Sequence, residues 1–279
     1  MNELIVVDAG ALCTVQDLGR AGWAHLGVPR SGAMDRSAHA LANRLVGNDV
    51  SSATVETTLT GCAVRFAGAA RIAVSGAGCE VWVDERPVPW GAAVSVAAGS
   101  VLRLGPALAG VRSHLAVAGG VAVEQVLGSR STDVLSGLGP APLREGDVLP
   151  IGCATPQAAP WVEVPWPVHA TVFDVVSGPR TDWFVAPSAI EGQWAVRSDS
   201  NRIGVRLEGT AMARRRLGVE LESEPMVRGA IQVPPSGQPV VLMADHATTG
   251  GYPVIGVLRD PDGLAQVRPG EQVTLRLVG

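Results

Sequence analysis

Short apolar runs broken by glycine and proline constrain the fold of this sequence more than any other feature. Between residues 63 and 117 these runs are four to six residues long and recur about every ten residues: 63–66, 71–75, 80–83, 93–96, 101–104 and 112–117. The 34 glycines and 20 prolines supply the breaks. Strands of this length and spacing are typical of an antiparallel barrel or sandwich, so the sequence predicts a mainly β fold with a few short helices.

One segment has helical periodicity instead. Its apolar residues recur at offsets of four and three, which places them on one helical face: Met34, Ala38, Leu41, Ala42 and Leu45. Ser31 is the expected N-cap and Asp35 suits the first turn. Gly47-Asn48 should end the helix. The sequence therefore predicts one amphipathic helix among the strands.

A proline-rich stretch is the best candidate for a domain boundary. Residues 153–167 contain four prolines among small residues: Pro156, Pro160, Pro165 and Pro167. They predict a linker between an N-terminal β-rich domain, 1–152, and a C-terminal β-rich domain, 168–279. The amphipathic helix belongs to the first of these. A chain of 279 residues is long enough for two such domains.

Charge and hydropathy exclude several classes of function. Charged residues make up 17% of the chain and its net charge is −4, so no nucleic-acid partner is expected. No apolar run approaches the ~18 residues of a membrane helix, and the first residues lack the pattern of a secretory signal. We therefore expect no membrane association and a cytoplasmic location.

The cysteines and histidines give no sign of a disulfide framework or a metal site. Cysteines stand at 13, 62, 79 and 153, and the five histidines are isolated, so no short-range ligand pair exists. A chain of this size does not need disulfides to hold its core. The sequence predicts four free thiols and no metal.

All 22 basic residues are arginine, and the chain contains no lysine. This excludes a Walker A phosphate loop, a Schiff-base enzyme, a Ser-Lys nucleophilic site and a biotin-carrying lysine within the chain. Charge stabilisation must come from arginine, from backbone amides or from a partner.

Residues 14–35 form the first polar cluster, and we expect them to lie on a long loop. Loops with many specific polar groups are common binding elements, although a solvated connection would explain the same composition. The polar residues of the cluster are Gln16, Asp17, Arg20, His25, Arg30, Ser31 and Asp35. Two further signals are weaker. Residues 128–132 combine hydroxyls, amides and a cation and could hold an anion or be a structural turn, and Glu56 is either a site residue or an exposed strand charge.

A second polar cluster lies among the strand-like runs of residues 222–256. Buried polar groups are costly unless they have partners, so the cluster indicates either a site or a structural hydrogen-bond network. Its members are Glu222, Glu224, Arg228, Gln232, Asp245, His246, Thr248, Thr249, Gly250, Gly251 and Tyr252. We expect a functional site here, with residues 14–35 as its second wall. Arg202 lies on a turn upstream.

The residue types of this cluster favour the binding of a ligand. That one of them acts as a general base is a further hypothesis. Asp245 and His246 are adjacent, but neighbours on a strand point to opposite faces, which argues against a direct dyad. His246 is the candidate general base. Arg228 is a candidate catalytic residue, because a lysine-free chain has few other cations there. Gly250-Gly251 would let the backbone approach a ligand closely.

Several motifs together resemble one known family. They are TVQDLGRAGWAHLGVPRSGAMDRSAHALANRLVGN, VLGSRST, LREGDVLPIG, SGPRTDWF, SDSNRIGVRLEG and SEPMVRGAIQVPPSGQPVVLMADHATTGGYP. They span nearly the whole chain in the order that is typical of the KipA family. That family is also named biotin-dependent carboxyltransferase, allophanate hydrolase subunit 2, and the C subunit of bacterial 5-oxoprolinase.

The resemblance implies a fold, partners and an activity. The fold is a cyclophilin-like β-barrel architecture, and the obligate partner is a KipI-like protein, the B subunit of the same enzyme. With ATP, shared with that partner, the pair would activate 5-oxoproline for ring opening to glutamate by a third, LamB/YcsF-like subunit. The positions that match the family's motifs, and are expected to bind substrate or catalyse, are Gln16, Asp17, Arg20, His25, Asp35, Arg202, Glu208, Glu224, Arg228, Gln232, Asp245, His246, Thr248, Thr249, Gly250, Gly251 and Tyr252.

Two other functions remain open at this point. One is the carboxyltransferase component of a urea carboxylase or allophanate hydrolase system, with biotin carried on another polypeptide. The other is a non-catalytic KipA-type regulator that binds a KipI-like kinase inhibitor. The chain departs from the family pattern at Ile203, Val205 and Ala247, where a methionine, a tyrosine and a glutamine are usual, so fine substrate specificity could differ.

Overall fold

The computed structural model describes residues 2–154, 164–216 and 218–279, which fold into two compact units. Unit 1 comprises Met1–Arg20 and Ser31–Val168, and unit 2 comprises Ala21–Arg30 and His169–Gly279. Of the expected linker at 153–167, residues 155–163 lie outside the described part. Its described residue Trp166 packs in unit 1, with its ring 5.6 Å from that of Trp90.

Unit 1 is a pair of sheets built from short strands. Its strands are β1 (Glu3–Asp8), β2 (Cys13–Gln16), β3 (Thr54–Thr58), β4 (Cys62–Phe66), β5 (Ala70–Gly78), β6 (Val81–Val83), β7 (Arg86–Val88), β8 (Val94–Val96), β9 (Val101–Leu104), β10 (Ala109–Val117) and β11 (Val148–Pro150). One sheet has the order β11-β1-β4-β9-β6-β7 and the other β2-β3-β10-β5-β8. All strand pairs in both sheets are antiparallel.

The two sheets of unit 1 share one hydrophobic core. Leu4 of β1 and Phe66 of β4 come from the first sheet, Val15 of β2 and Leu115 of β10 come from the second, and all are fully buried in the same cluster. Removing this apolar surface from water contributes roughly 25 cal/mol per Å². The arrangement is a sandwich, one of the two architectures that the strand spacing predicts.

The predicted helix is α1 (Arg36–Val46), the only α-helix among the described residues. Its N-cap is Asp35, whose Oδ1 accepts the Ala38 amide hydrogen at 2.8 Å, so the prediction of Ser31 as cap was wrong. Ser31 has a positive φ of 56° and its hydroxyl donates to the Thr132 carbonyl instead. Gly47 ends the helix in the left-handed conformation, as predicted.

One face of α1 is buried against the second sheet of unit 1. Ala42 and Leu45 of the helix form a cluster with Ala73 of β5 and Ala116 of β10. The small side chains on the sheet let the helix approach closely. The apolar periodicity of the sequence thus identified the buried face correctly.

Unit 2 is a closed barrel. Its strands are β12 (Val172–Ser177), β13 (Gly192–Val196), β14 (Gly204–Glu208), β15 (Glu224–Pro225), β16 (Ala230–Gln232), β17 (Val240–Leu242), β18 (Thr249–Gly250), β19 (Val254–Leu258) and β20 (Gln272–Val278). Seven of them close in the order β12-β19-β16-β17-β14-β13-β20, with β12 and β20 parallel, while β15 and β18 form a separate two-stranded ribbon. The barrel confirms the fold that the family resemblance implied. The structure contains no described helix with the length and apolarity needed to cross a membrane.

Candidate functional site

Asp17 is the centre of a hydrogen-bond network in unit 1. Its carboxylate accepts hydrogen bonds from the hydroxyls of Ser129 (2.7 Å) and Ser131 (2.5 Å) and from the backbone amides of Gly19 (2.7 Å) and Arg130 (2.6 Å). Burial raises the pKa of this carboxyl, but the hydrogen bonds outweigh it and hold the pKa below its usual value. The hydroxyls and amides of residues 128–132, which could have held an external anion, bind this internal carboxylate.

Gln16 and Arg20 also donate hydrogen bonds to the segment 128–132. Gln16 is the last residue of β2 and is fully buried, so its predicted position on a loop was wrong. Its Nε2 donates to the Thr132 carbonyl at 3.0 Å. Arg20, only 1% exposed, donates through Nη2 to the Ser131 carbonyl at 2.6 Å. These residues connect the chain after β2 to residues 129–132.

Asp35 and His25, the other predicted residues of the first motif, have different surroundings. Asp35 caps α1. His25 belongs to unit 2, on the 3-10 helix Ala24–Leu26, where it is exposed and its Nδ1 lies 3.1 Å from the Gly22 carbonyl oxygen. The two residues therefore belong to separate units, and the role of residues 14–35 as a second wall stays a prediction.

Glu56 is a buried residue of unit 1, not an exposed strand charge. Its Oε2 accepts the Met34 amide hydrogen at 2.8 Å, its Oε1 lies 3.6 Å from Arg112 Nη1, and its Oε2 lies 3.7 Å from His114 Nε2. His39 of α1 is also buried, and its ring centroid lies 5.7 Å from that of His114. Burial lowers the pKa of His39, outweighing the Val50 carbonyl and the nearby carboxylates.

In unit 2, Arg202 and Asp245 form a buried ion pair. Arg202 Nε and Nη2 donate to the two carboxylate oxygens of Asp245 at 2.8 and 2.9 Å, and both side chains are at most 1% exposed. This bidentate geometry is the strongest form of the arginine-carboxylate interaction. Both residues were predicted from the motifs, and the structure brings them together from positions 43 residues apart.

His246 follows this ion pair in the chain. It is 8% exposed, and its Nδ1 lies 2.7 Å from the Ala247 carbonyl oxygen, which requires a proton on Nδ1. The Nδ1 contact of His246 is to the Ala247 carbonyl, while both oxygens of Asp245 accept from Arg202. Nε2 is the other ring nitrogen of His246, and it is the atom that would accept a proton if His246 acts as a general base.

Two further predicted residues lie in partly buried ion pairs. Arg228 Nη2 lies 2.8 Å from Asp262 Oδ1, with both side chains less than 15% exposed. Glu224 Oε2 accepts from Arg180 Nε at 3.0 Å, and the two side chains make a second close contact. Glu208, at the end of β14, is exposed.

The ribbon of β15 and β18 contains or contacts several other residues of the second polar cluster. Glu224 pairs with Gly250 and Pro225 with Thr249, and the Thr248 carbonyl accepts the Met226 amide hydrogen at 2.8 Å. Gln232 donates through Nε2 to the Tyr252 carbonyl at 3.2 Å. A Cβ atom at Gly250 would lie 2.6 Å from this Nε2, so any other residue there would displace the Gln232 amide group.

A cleft of about 1030 Å³ opens in unit 2 beside this ribbon. Its lining residues are 211–214, 216, 218–221, 223, 235–237, 251 and 252. The volume is at the upper end of the roughly 300–1,000 Å³ range of small-ligand sites. Of the predicted residues, Gly251 and Tyr252 line the cleft. Tyr252 is 45% exposed, so its ring is available to a ligand.

Two arginines of the cleft, Arg214 and Arg216, were not among the predicted residues. Arg214 Cζ lies 6.0 Å from the centre of the Tyr252 ring, and Arg216 Cζ lies 5.1 Å from the centre of the Trp183 ring. Both distances suit cation-π contacts. The signal in the sequence was the run of three arginines at 214–216 in a chain without lysine.

Comparison with known proteins gives a consistent result. Residues 26–277 match the family described as carboxyltransferase domain, subdomain A and B. The chain is 38% identical over 217 residues to the 5-oxoprolinase C subunit of Escherichia coli K12, covering 76% of this chain and 70% of that protein. It is 35% identical over 232 residues to urea amidolyase of Lachancea kluyveri, covering 73% of this chain but 12% of that protein.

A solved structure has the same fold. The crystal structure of TTHA0988 superposes with a TM-score of 0.87 at 34% identity, covering 99% of this chain. The chain spans 55% of TTHA0988, so this relative contains a further segment of comparable size.

Proposed function

The chain belongs to the carboxyltransferase domain family, subdomain A and B, and from this premise we propose that it works as the C subunit of a multi-subunit, ATP-dependent 5-oxoprolinase. The observation that carries the proposal is the match to the E. coli protein of that name, which extends over 70% of its length. The match to yeast urea amidolyase extends over 12% of a much larger protein. The match thus covers most of a protein that is a subunit of 5-oxoprolinase but only a small part of urea amidolyase, which supports the role of a separate subunit.

In this function the chain binds 5-oxoproline and a partner supplies the groups that it lacks. The ring of 5-oxoproline is a cyclic amide, and its opening needs ATP-dependent activation of the amide oxygen and then water. A chain without lysine offers no Walker A loop for the nucleotide. We assign the remaining ATP contacts to a KipI-like partner and the ring-opening step to a LamB/YcsF-like partner, in a cytoplasmic hetero-oligomer.

Within the chain, we assign the substrate side of the reaction to unit 2. His246 is the candidate base, and Arg228 the candidate cation for the developing negative charge, displaced from Asp262 when the complex forms. Gly251 and Tyr252 line the cleft of the same unit. Asp245 acts by fixing Arg202 and the backbone before His246.

A second candidate function is the carboxyltransferase step of a urea carboxylase. The family description and the 35% identity to urea amidolyase favour it. Because the chain has no lysine, the biotin would be attached to another polypeptide.

Reconstitution separates the two functions. The chain is co-expressed with the KipI-like and LamB/YcsF-like partners, and ATP hydrolysis is measured with 5-oxoproline, with urea, or with neither. We expect hydrolysis to depend on 5-oxoproline and not on urea. Urea carboxylation with a carboxylated biotin carrier, and no response to 5-oxoproline, would contradict the proposal and support the second candidate.

A further inference from the structure

Arg214 is an arginine of unit 2 without a carboxylate partner among the described residues. Seven other arginines of the unit lie within 4.0 Å of a carboxylate oxygen: Arg180, Arg197, Arg202, Arg206, Arg216, Arg228 and Arg276. Arg214 instead donates through Nη2 to the Val233 carbonyl, and its buried Nε has no hydrogen-bond partner in the described part of the chain. A partly buried charge without a counterion is costly unless a ligand provides one.

The surroundings of Arg214 hold its guanidinium in place. Its backbone forms an antiparallel bridge with Phe184, and the Val185 amide donates to the Ala213 carbonyl at 3.0 Å. The Tyr252 ring lies beside Cζ at 6.0 Å. Burial lowers the pKa of Arg214, although an arginine remains charged at neutral pH. The side chain is therefore positioned before any ligand arrives.

The charge of the cleft favours an anion. Its described lining contains two guanidinium groups, Arg214 and Arg216, and one carboxylate, Glu220. Arg216 lies 3.4 Å from Asp182, so its charge is already partly compensated. Ser223 and Ser236 add hydroxyl groups to the lining. Arg214 is thus the cation of this described lining that lacks an internal counterion.

We infer that Arg214, with Tyr252 beside it, binds the carboxylate of an anionic substrate in this cleft and thereby selects a carboxylate-bearing cyclic amide over a neutral amide such as urea. The inference rests on the proposed function and adds the residue that determines specificity. A guanidinium matches a carboxylate with two parallel hydrogen bonds, whereas urea provides no negative charge. Arg214 is a binding residue here and takes no part in bond making.

The test measures binding and turnover of two lactams. 5-Oxoproline and 2-pyrrolidinone share the five-membered amide ring, but only the first carries a carboxylate. Calorimetry with the full chain, and KM with the reconstituted complex, are compared for wild type, Arg214→Gln and Arg214→Lys. The control is Arg197→Gln, because Arg197 pairs with the exposed Asp199 and does not line the cleft.

We expect Arg214→Gln to weaken 5-oxoproline binding about tenfold or more, since a charged hydrogen bond contributes roughly 1.5–3 kcal/mol. KM should rise by the same factor with kcat little changed, and 2-pyrrolidinone binding should not change. Arg214→Lys should recover part of the affinity, and Arg197→Gln should match wild type. The inference would be overturned if the folded Arg214→Gln variant bound 5-oxoproline with wild-type affinity, whether or not Arg214→Lys did the same.

The same experiment keeps the two proposals apart. If the complex turns over 5-oxoproline and Arg214→Gln leaves KM unchanged, the inference is wrong and the proposed function stands. If no turnover of 5-oxoproline occurs but the chain binds it in an Arg214-dependent way, the function is wrong and the inference stands.

Discussion

Asp17 and Asp245 are buried carboxylates whose oxygens accept hydrogen bonds from the chain itself. Asp17 accepts from two serine hydroxyls and two backbone amides, and Asp245 accepts from Nε and Nη2 on one edge of the Arg202 guanidinium. Hydrogen bonds to a charged carboxylate are strong, and they hold the groups that donate them in place. At the residue scale, Asp17 therefore fixes residues 129–131 within unit 1, and Asp245 fixes the Arg202 side chain within unit 2.

Asp245→Asn should strongly destabilise unit 2. The substitution removes the charge that compensates Arg202, and an unpaired buried charge costs about 3–5 kcal/mol. Urea unfolding measures the loss. Asp199→Asn is the control, because Asp199 also pairs with arginines but is 50% exposed, and its unfolding midpoint should stay that of wild type. Equal midpoints for the two variants would contradict the structural role of Asp245.

Asp17→Asn should destabilise unit 1. The amide places an NH₂ group where two hydroxyls and two amides donate, so at least one buried donor loses its acceptor, at a cost of about 1–3 kcal/mol. The pKa of Asp17 lies below its usual value, so its contribution is present above that value and is lost as the pH falls through the lowered pKa. The stability difference between wild type and variant at pH 7 should therefore shrink in strong acid.

Asp49→Asn is the matched control for Asp17. Asp49 also accepts from a serine hydroxyl and a backbone amide, both of Ser51, but it is exposed to solvent. Water replaces these interactions, so the unfolding curve should not move. A larger effect at Asp49 than at Asp17 would be inconsistent with burial as the cause.

His246→Ala and Arg228→Ala should abolish turnover of the reconstituted complex and leave the fold intact. His246 has its proton on Nδ1 and is the candidate base, and Arg228 pairs with Asp262 at the edge of solvent. Circular dichroism checks folding, and Arg197→Gln is the control for loss of a charged residue in unit 2. Wild-type rates in both alanine variants would remove these residues from the site.

At the scale of secondary structure, β2, β4 and the end of β5 bring three thiols into the core of unit 1. Cys13, Cys62 and Cys79 are each at most 3% exposed, and Cys153 is exposed. The hydrogen bond from Cys62 and burial raise the pKa of Cys13, and burial raises the pKa of Cys79 to about 11. Thiols with such values are protonated at neutral pH and react slowly.

A thiol-reactive probe should therefore label one cysteine of the folded chain. At pH 8 we expect Cys153 to react rapidly and the other three to react only in denaturant, giving four labels in total. Mass spectrometry of the labelled peptides checks the position. Rapid labelling of Cys13 or Cys79 in the folded protein would show that the core of unit 1 opens or packs differently.

The elements differ in how far their sequence determines them. Apolar spacing predicted α1 and its buried face, because Ala42 and Leu45 recur at helical intervals. The cap was misassigned because Ser31 and Asp35 both carry a side-chain oxygen, and only the structure shows Ser31 at a φ of 56°. Gln16 was placed on a loop because β2 is four residues long and its partner strand, β3, lies beyond the helix.

At the scale of the whole molecule, strand spacing predicted a barrel or sandwich, and the structure contains one of each. Spacing alone could not assign them, since closure depends on the pairing of β12 with β20, about 100 residues apart. The same limit applies to the site. Three of the four groups that donate to Asp17 lie 112–114 residues away along the chain, so the sequence identified a polar residue but not its function.

Release of glutamate from 5-oxoproline tests the central claim most directly. The KipI-like and LamB/YcsF-like partners are assayed with ATP, with and without this chain, and glutamate is measured against ADP formed. We expect glutamate release to require this chain and to match ADP in a ratio near one, whereas the two partners alone remain inactive. Equal glutamate release in its presence and absence would contradict its assignment to a 5-oxoprolinase.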